Sequence, residues 1–478
     1  MSAVDPFLAA HQISSGVYSL AGRSPVSIRD QIVRAHYLTD RLFDARKVTT
    51  GTQLAVIGGG AAGASVAILA ARRGAKVELY EAGNSPFRVQ RSCTTRWIDP
   101  VQYDWPATHA EAAQWPVSGT DPARVPLGFE AGPSSKIASQ WTSTLNKQRL
   151  ASAGNLIAHY GAKLLQIPKR VGNAPGSTID VNYQIGAVTA VKSYDIVVLA
   201  RGIAAERTYV DFETSAGTKR RFDGPLFWAD DGFESNDFGL GAPLQRSFLV
   251  SGSGDGALQD YIRLVTGHKS AIALLSTFRG IGESPVPGEI RRTLYEAEQE
   301  AQRCLVWNNR RQQDHAVLLN LHNIYLNAVD DWVSEKSRWK TVTKSLNLLT
   351  SGRDVKNLRL YHQCSHFTQC YPLNHLLALV LGRFILDRDS QQTIKGNTSL
   401  VSVEAPLTGP PHAQTFTHVC GVGCWKTTHE IIYEQGATCI STAAVPIRKV
   451  VDGIVIRHGL KQHTSAAMRR HLLPLHLM

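Results

Sequence analysis

The stretch that decides the fold is Leu54-Ala-Val-Ile57, followed by Gly58-Gly-Gly60-Ala61-Ala62-Gly63, the Ala-rich run Ala64 to Arg73, the turn Gly74-Ala75 and Lys76-Val-Glu-Leu-Tyr80 ending at Glu81. Four consecutive apolar residues bounded by glycine predict a short buried strand. The Ala-rich run that follows predicts a helix, and the second β-branched and aromatic run predicts another strand. Strand, glycine turn, helix and strand together make one βαβ unit.

Each residue of the turn has a physical task in such a unit. Gly58 permits the tight turn, Gly60 lets the backbone approach a pyrophosphate, and Gly63 lets the helix pack closely on the strand. Ala61 and Ala62 lie in the first helical turn, whose N–H groups lack intrahelical partners and sit at the positive end of the helix dipole. Glu81, at the end of the second strand, stands where an acid accepts hydrogen bonds from ribose hydroxyls. A glycine-rich turn with no ligand is the competing reading, and the full strand–turn–helix–acid context argues against it.

Outward from this unit the chain changes character. Residues 1–50 read as an N-terminal extension with one amphipathic helix over Ile28 to Val48, capped by Ser27 with Asp30, whose apolar face packs on the main body or on a second copy of the chain. Residues 84–150 are rich in Trp, Pro and Arg and read as a long functional loop region, with a helix over Ser135 to Leu150. Ala162 to Ile167, Thr178 to Tyr183 and Gly186 to Val191 read as a small β-meander leading into Tyr194-Asp195 and the apolar strand Ile196-Val-Val-Leu-Ala200, closed by Arg201-Gly202. A second strand–glycine–helix signal follows: Phe248-Leu-Val250, then Gly252-Ser-Gly254-Asp-Gly256, then Ala257 to Thr266. The two signals read as a structural duplication. Residues 285–350 are helical in character, Leu358 to Tyr361 is a short strand, and Pro372 to Asp387 is an apolar helix with Pro at its start.

The segment Tyr194 to Gly202, an Asp and an apolar strand after a meander, resembles the flavoprotein superfamily with two dinucleotide-binding domains, which includes glutathione-reductase-like reductases and flavin monooxygenases. The resemblance implies FAD at the first glycine unit, with Gly202 letting the chain pass close to it, and NAD(P)H at the second, held by Gly252, Gly254 and Gly256. Arg88 and Arg91 follow Glu81 at a distance where related flavoproteins place an Arg on the FAD. Two features depart from the superfamily. Arg201 stands where Thr is usual, and Asp255 puts a carboxylate inside the second loop, where it would repel a pyrophosphate. No acid ends the apolar stretch Ala271 to Leu275, and Arg279 beyond it points to a 2′-phosphate.

The segment from Arg88 to Trp115 is a candidate lining for the flavin, since Arg96, Trp97, Tyr103, Asp104, Trp105 and His109 combine aromatic walls with titratable groups. A rigid loop held by aromatic packing fits the same residues. Cys93 stands alone and no C-x-x-C occurs, which argues against a disulfide reductase. His362, Cys364, His366 and Cys370, with His418, Cys420, Cys424 and His429 downstream, hold soft ligand types at spacings unlike zinc knuckles. They read as core residues rather than a metal site.

The chain has 478 residues, 43% hydrophobic, so two or three domains are expected and bulk disorder is excluded. The net charge of +12, from 51 basic and 39 acidic residues, is spread without a dense basic block. Nucleic acid is therefore disfavoured as a partner. Seven cysteines without an evident signal peptide predict reduced thiols in the cytoplasm, and the apolar run Leu376 to Leu386 is too short to span a membrane.

The expected fold class is α/β, with two Rossmann-type dinucleotide-binding domains, a β-meander and a helical insertion. The expected domains are a helical extension at 1–50, an FAD-binding domain at 51–235, an NAD(P)-binding-like domain at 242–390, and a segment at 391–478 that returns to the FAD domain. The expected function is FAD-dependent oxidation or reduction of a small organic substrate with NAD(P)H, of monooxygenase type. The alternative is a dinucleotide-binding sensor or scaffold that has lost turnover.

Overall fold

The computed structural model describes the chain except residues 1–4, 21–26, 113, 117–124, 172–176, 203–205, 214–216, 236–246, 281–283, 308–310, 354–356, 368–369, 405–428, 436–444, 452 and 459–478. His418, Cys420, Cys424, Cys439 and Gly459 thus lie outside the described residues. Two compact units emerge, one built from Met1–Thr94 and Ala113–Ala205, the other from Thr95–Ala112 and Glu206–Lys461.

The first unit is centred on a six-stranded sheet. Its strands are β1 (Gln12–Ser14), β2 (Val17–Ser19), β3 (Gln53–Ile57), β4 (Lys76–Glu81), β5 (Leu156–Tyr160) and, after the meander, β10 (Ile196–Leu199). Its order is β1-β2-β10-β3-β4-β5, and all neighbours from β2 to β5 run parallel. Helix α1 (Ile28–Asp44) starts at Ser27, whose Oγ accepts from the Asp30 amide at 3.0 Å. Helix α2 (Ala61–Arg72) crosses from β3 to β4, and α3 (Ser134–Ala151) precedes β5. Small residues carry α2: Gly63, Ala64, Ala67, Ala70 and Ala71 are all buried, which brings its backbone close to the sheet.

Between β5 and β10 lie β6 (Ala162–Leu164), β7 (Lys169–Arg170), β8 (Ile179–Ile185) and β9 (Val188–Tyr194), paired antiparallel. Ile179, Val181 and Tyr194 of this meander pack with Ala55, Ile57, Tyr80 and Val197 of the main sheet. The Tyr80 and Tyr194 hydroxyls lie 2.5 Å apart, and Glu78 accepts from Tyr80, His159 and Lys192. Asp195, at the head of β10, accepts from the Gln53 amide at 2.8 Å and aligns the start of β3 with it.

The second unit repeats this plan. Its parallel sheet comprises β11 (Phe248–Ser251), β12 (Leu358–Tyr361), β13 (Ile394–Lys395) and β17 (Gly453–Ile456), in the order β13-β12-β11-β17. The antiparallel strands β14 (Thr398–Glu404), β15 (His429–Gln435) and β16 (Val445–Val451) sit in the chain between β13 and β17. That is the place the first meander holds between β5 and β10. In both units the strand after the meander pairs with the strand that carries the glycine loop. The repetition therefore lies in topology as well as in glycine spacing.

The second unit differs by its helices. After α4 (Asp255–Thr266) come α5 (Ala271–Thr277), α6 (Gly288–Trp307), α7 (Arg311–Ser334) and α8 (Lys336–Leu349), all before β12. Helix α9 (Pro372–Asp389) follows β12 and is buried along most of its length. Tyr325, Trp332, Val342 and Leu346 from the insertion share one core with Leu376, Leu377 and Val380 of α9. No helix among the described residues is long and apolar enough to cross a membrane.

Three expectations are corrected here. The extension is not only helical, because Val17–Ser19 joins the first sheet beside β10; a three-residue strand is too short to leave a readable pattern. The segment after residue 390 does not return to the first sheet where it is described. Gly453–Ile456 pairs with β11, because Ile454 and Ile456 fill the second core beside Leu249 and Tyr361. Residues 95–112 and 206–235 belong with the second unit. Arg96 is buried there against Asp260 and Asp231, and its Nε donates to the Phe227 carbonyl at 2.6 Å.

Candidate functional site

The first glycine loop separates into residues that the fold requires and residues that face open space. Gly58 has φ +114, and a Cβ there would lie 2.2 Å from the Ala200 carbonyl oxygen. Its amide donates to the Tyr80 carbonyl at 2.7 Å. At Gly63 a Cβ would lie 1.9 Å from the Gly58 carbonyl oxygen. Neither position tolerates a side chain. Gly60 is the N-cap of α2, has an ordinary φ of −76, and a Cβ there would meet nothing within 4 Å. Gly202, φ +83, likewise has nothing within 4 Å. At neither glycine would a Cβ meet a described residue beyond its chain neighbours.

Glu81 holds the same loop. Its Oε2 accepts from the Gly59 amide and its Oε1 from the Gly83 amide, each at 2.6 Å. Each oxygen retains a lone pair for a further donor, such as a ribose hydroxyl. The Gly59 carbonyl accepts from the Phe87 amide at 3.0 Å, and Phe87 is buried against Trp141. This clasp of Gly59, Gly83 and Phe87 escaped the sequence reading, although the middle glycine of the Gly58-Gly-Gly60 run was its visible sign. Arg88 and Arg91 lie on the exposed turn after Phe87. The Arg88 Cδ lies against Gly83, and Arg91 donates to Thr142 Oγ1 at 2.5 Å.

The second loop matches the first contact for contact. The Gly252 amide donates to the Tyr361 carbonyl at 2.9 Å, as Gly58 does to Tyr80. The Arg457 amide donates to the Ser251 carbonyl at 2.8 Å, as Ala200 does to Ile57 at 2.7 Å. A Cβ on Gly252, φ +147, would lie 2.3 Å from the Arg457 carbonyl oxygen. Gly254 caps α4 as Gly60 caps α2. Gly256 is half-buried, and a Cβ there would touch the Phe227 ring and Arg457 Cδ.

This register corrects the reading of Arg279. Ala271–Thr277 is a helix capped by Ser270, not the second strand, so Arg279 does not stand at the ribose position. The second strand is β12, displaced by the helical insertion. The residue in register with Glu81 is His362, because Tyr361 pairs with Ser251 as Tyr80 pairs with Ile57. Burial lowers the His362 pKa to about 4 and keeps the ring neutral, and its Nδ1 has no hydrogen-bond partner. Asp255 opens α4 and turns its carboxyl into the protein, toward Tyr371 and Asn374 of α9.

The loop proposed to line the flavin is in good part core. Arg96 and Trp105 are buried, and the Tyr103 ring packs at a tilt against Tyr371, centroids 4.3 Å apart. Arg96, Arg263 and Arg457 converge on the buried Asp260, which burial alone would push up but which the three guanidinium groups hold down at about 2. Only Asp104 and His109, 3.0 Å apart, form an exposed pair. The packed-loop alternative therefore accounts for Arg96 and Trp105.

The histidines after β12 are also core. His322 Nδ1 and His375 Nε2 lie 2.8 Å apart, Tyr325 stacks on His375 at 4.1 Å, and Phe367 packs on both histidines. Among the described residues no group of three or more His, Cys, Asp or Glu is arranged to hold a metal. Cys93, Cys304, Cys364 and Cys370 are not joined in disulfides.

Residues 56–114 match the NAD(P)-binding Rossmann-like domain family. No curated protein matches the chain by sequence. Among solved structures the chain is similar to thioredoxin reductase from Lactococcus lactis, at 11% identity, covering 85% of this chain and 77% of that one, with a TM-score of 0.34. It is similar to bacillithiol disulfide reductase from Bacillus cereus, at 8% identity, 86% and 78% coverage and a TM-score of 0.40. It is also similar to ornithine N-hydroxylase from Kutzneria, at 11% identity, 86% and 81% coverage and a TM-score of 0.34.

Proposed function

We propose that the chain is an FAD-dependent oxidoreductase that takes electrons from NAD(P)H. The observation that carries this reading is the division of labour among the glycines of the first loop. Gly58 and Gly63 satisfy packing, whereas at Gly60, which opens α2 and its first-turn amides, a Cβ would meet no described atom within 4 Å, and Glu81 accepts from the neighbouring Gly59 amide. A pyrophosphate fits the amides and the helix dipole, and a ribose fits the carboxylate. The meander and the strand β10 after it favour FAD over a nicotinamide dinucleotide here, following the resemblance carried by Asp195 and Gly202.

The bound flavin would supply the electron transfer. Glu81 would orient the ribose, the α2 amides would neutralise the pyrophosphate, and Arg88 and Arg91 would draw the anionic cofactor to the loop. The second glycine loop would bind NAD(P)H, and the absence of a carboxylate at His362 removes the group that would repel a 2′-phosphate. Monooxygenase-type chemistry on a small organic substrate is the subtype favoured, since the sequence holds no C-x-x-C for disulfide exchange. A cytoplasmic location accords with free thiols.

The test is the visible spectrum of the purified protein, then addition of NADPH and NADH without oxygen. Flavin bands that bleach with either nucleotide support the reading. Bands that persist favour a sensor or an oxidase, a second reading for which Asp255 and His362 speak. No flavin after FAD is added back overturns it.

A further inference from the structure

The second glycine loop carries a carboxylate where the first carries a methyl group. Asp255 follows Gly254 at the start of α4, in register with Ala61 after Gly60. The residue as a whole is half-buried but its carboxyl is wholly so. Its Oδ1 accepts from the Tyr371 amide at 3.1 Å and from Asn374 Nδ2 at 2.6 Å, and its Oδ2 accepts from Gln259 Nε2 at 2.6 Å. All three donors are neutral. Just before α9, the thiol of the half-buried Cys370 is raised by burial of the sulfur, by Asp255 itself and by Glu298. From β17, Arg457 brings its Cδ to Gly256, but its guanidinium is held by Asp260 and by the Pro225 and Ile456 carbonyls.

A pyrophosphate on this helix end would bring like charge to a buried, uncompensated carboxylate, which favours protonation of the carboxyl. We propose that Asp255 makes dinucleotide binding at the second glycine loop proton-linked, the ionised carboxylate opposing the pyrophosphate and the neutral carboxyl admitting it. This rests on the second loop being a nucleotide site. One proton is taken from solvent per dinucleotide bound, and it is returned on release. Burial already pushes Asp255 up to about 6 in the free protein, so at neutral pH the carboxyl is mostly ionised and able to take up that proton. His458, bonded to Ser251 Oγ, and His362 are both kept near 4 by burial, so neither titrates above pH 6.

The experiment is calorimetric titration of the FAD-loaded full chain with NAD+, whose phosphates do not titrate in the window, from pH 6 to 8.5 in two buffers of different ionisation enthalpy. The expected result is uptake approaching one proton per NAD+ and an affinity that falls by up to ~10-fold per pH unit. Asp255→Asn is expected to remove the slope and to bind NAD+ more tightly than wild type at pH 8. The fold has room for this change, because Asn374 Oδ1 is buried without a partner and can turn to accept from the new amide. Asp255→Ser, with a melting curve alongside, guards against a variant that fails to fold. A wild-type affinity that does not vary with pH, or variants that keep the wild-type slope, overturns the proposal. If wild type and both variants fail to bind NAD+ while holding flavin, the nucleotide reading of the second loop falls, and the proposal with it.

Discussion

Replacing Gly60 by Ala should separate folding from cofactor binding. A methyl group at Gly60 meets no atom within 4 Å, and the φ of −76 suits alanine. Ala is a poorer N-cap than Gly by up to ~1 kcal/mol, while the smaller entropy of the unfolded chain returns ~0.4–1 kcal/mol. The apo protein should therefore melt within a few degrees of wild type. The methyl group would, however, stand where the backbone must approach the pyrophosphate. Loss of about two charge-assisted hydrogen bonds at ~1.5 kcal/mol each comes to ~3 kcal/mol, or roughly 100-fold in Kd. Gly58→Ala and Gly63→Ala place a Cβ at 2.2 Å and 1.9 Å from carbonyl oxygens and should destabilise the first unit itself by several kcal/mol. The assay is thermal unfolding of the apo protein with FAD titration followed by flavin fluorescence. A folded Gly60→Ala protein that binds FAD as wild type does would refute the placement of the pyrophosphate. A Gly63→Ala protein that melts as wild type does would refute the packing argument.

Other perturbations reach the second unit. Asp260→Asn leaves the guanidinium groups of Arg96, Arg263 and Arg457 around a neutral amide; a loss of about 3–5 kcal/mol is expected in denaturant unfolding. Burial raises Glu298, bonded to the Tyr325 hydroxyl at 2.7 Å, to about 7. Its neutral form is favoured in the folded state, so its contribution is complete below pH 4.5 and lost as pH rises through 7, by roughly 2–3 kcal/mol. Glu298→Gln should flatten that decline in stability curves measured from pH 5 to 8. The buried histidines act in the opposite sense. His322 and His366 are lowered to about 4 and His375 further, so their contribution is complete above pH 6.5 and lost as pH falls toward 4. His375→Gln should reduce the acid sensitivity of unfolding, and an unchanged acid limb would count against this account.

Much of the fold was legible because its signals are local. The Gly58-to-Gly63 spacing, the Ala-rich helix after it and the paired apolar strands are consequences of backbone geometry within a few residues. The Ser27 cap, the meander, the helical insertion and the Pro372 helix were readable for the same reason. What misled was long-range. Ala271 to Leu275 is apolar over a length that suits strand or helix alike, and in the structure it is a helix capped by Ser270 that buries Leu274 and Leu275. Arg96 and Trp105 have the composition of a pocket wall, yet Asp260 lies 164 residues away from Arg96 in the chain.

The sequence by itself determined that two glycine turns each follow a strand and open a helix, since a residue without a Cβ is needed where a side chain would come within 2.3 Å of a carbonyl oxygen, as at Gly58 and Gly252. Only the tertiary structure decided which strand completes each unit and which side chain faces each loop. That is why Glu81 was found from spacing while His362 was not. β4 follows its loop after a single helix, whereas β12 reaches the corresponding register only after the chain has passed through four further helices, and strand pairing carries no mark of the sequence distance it spans.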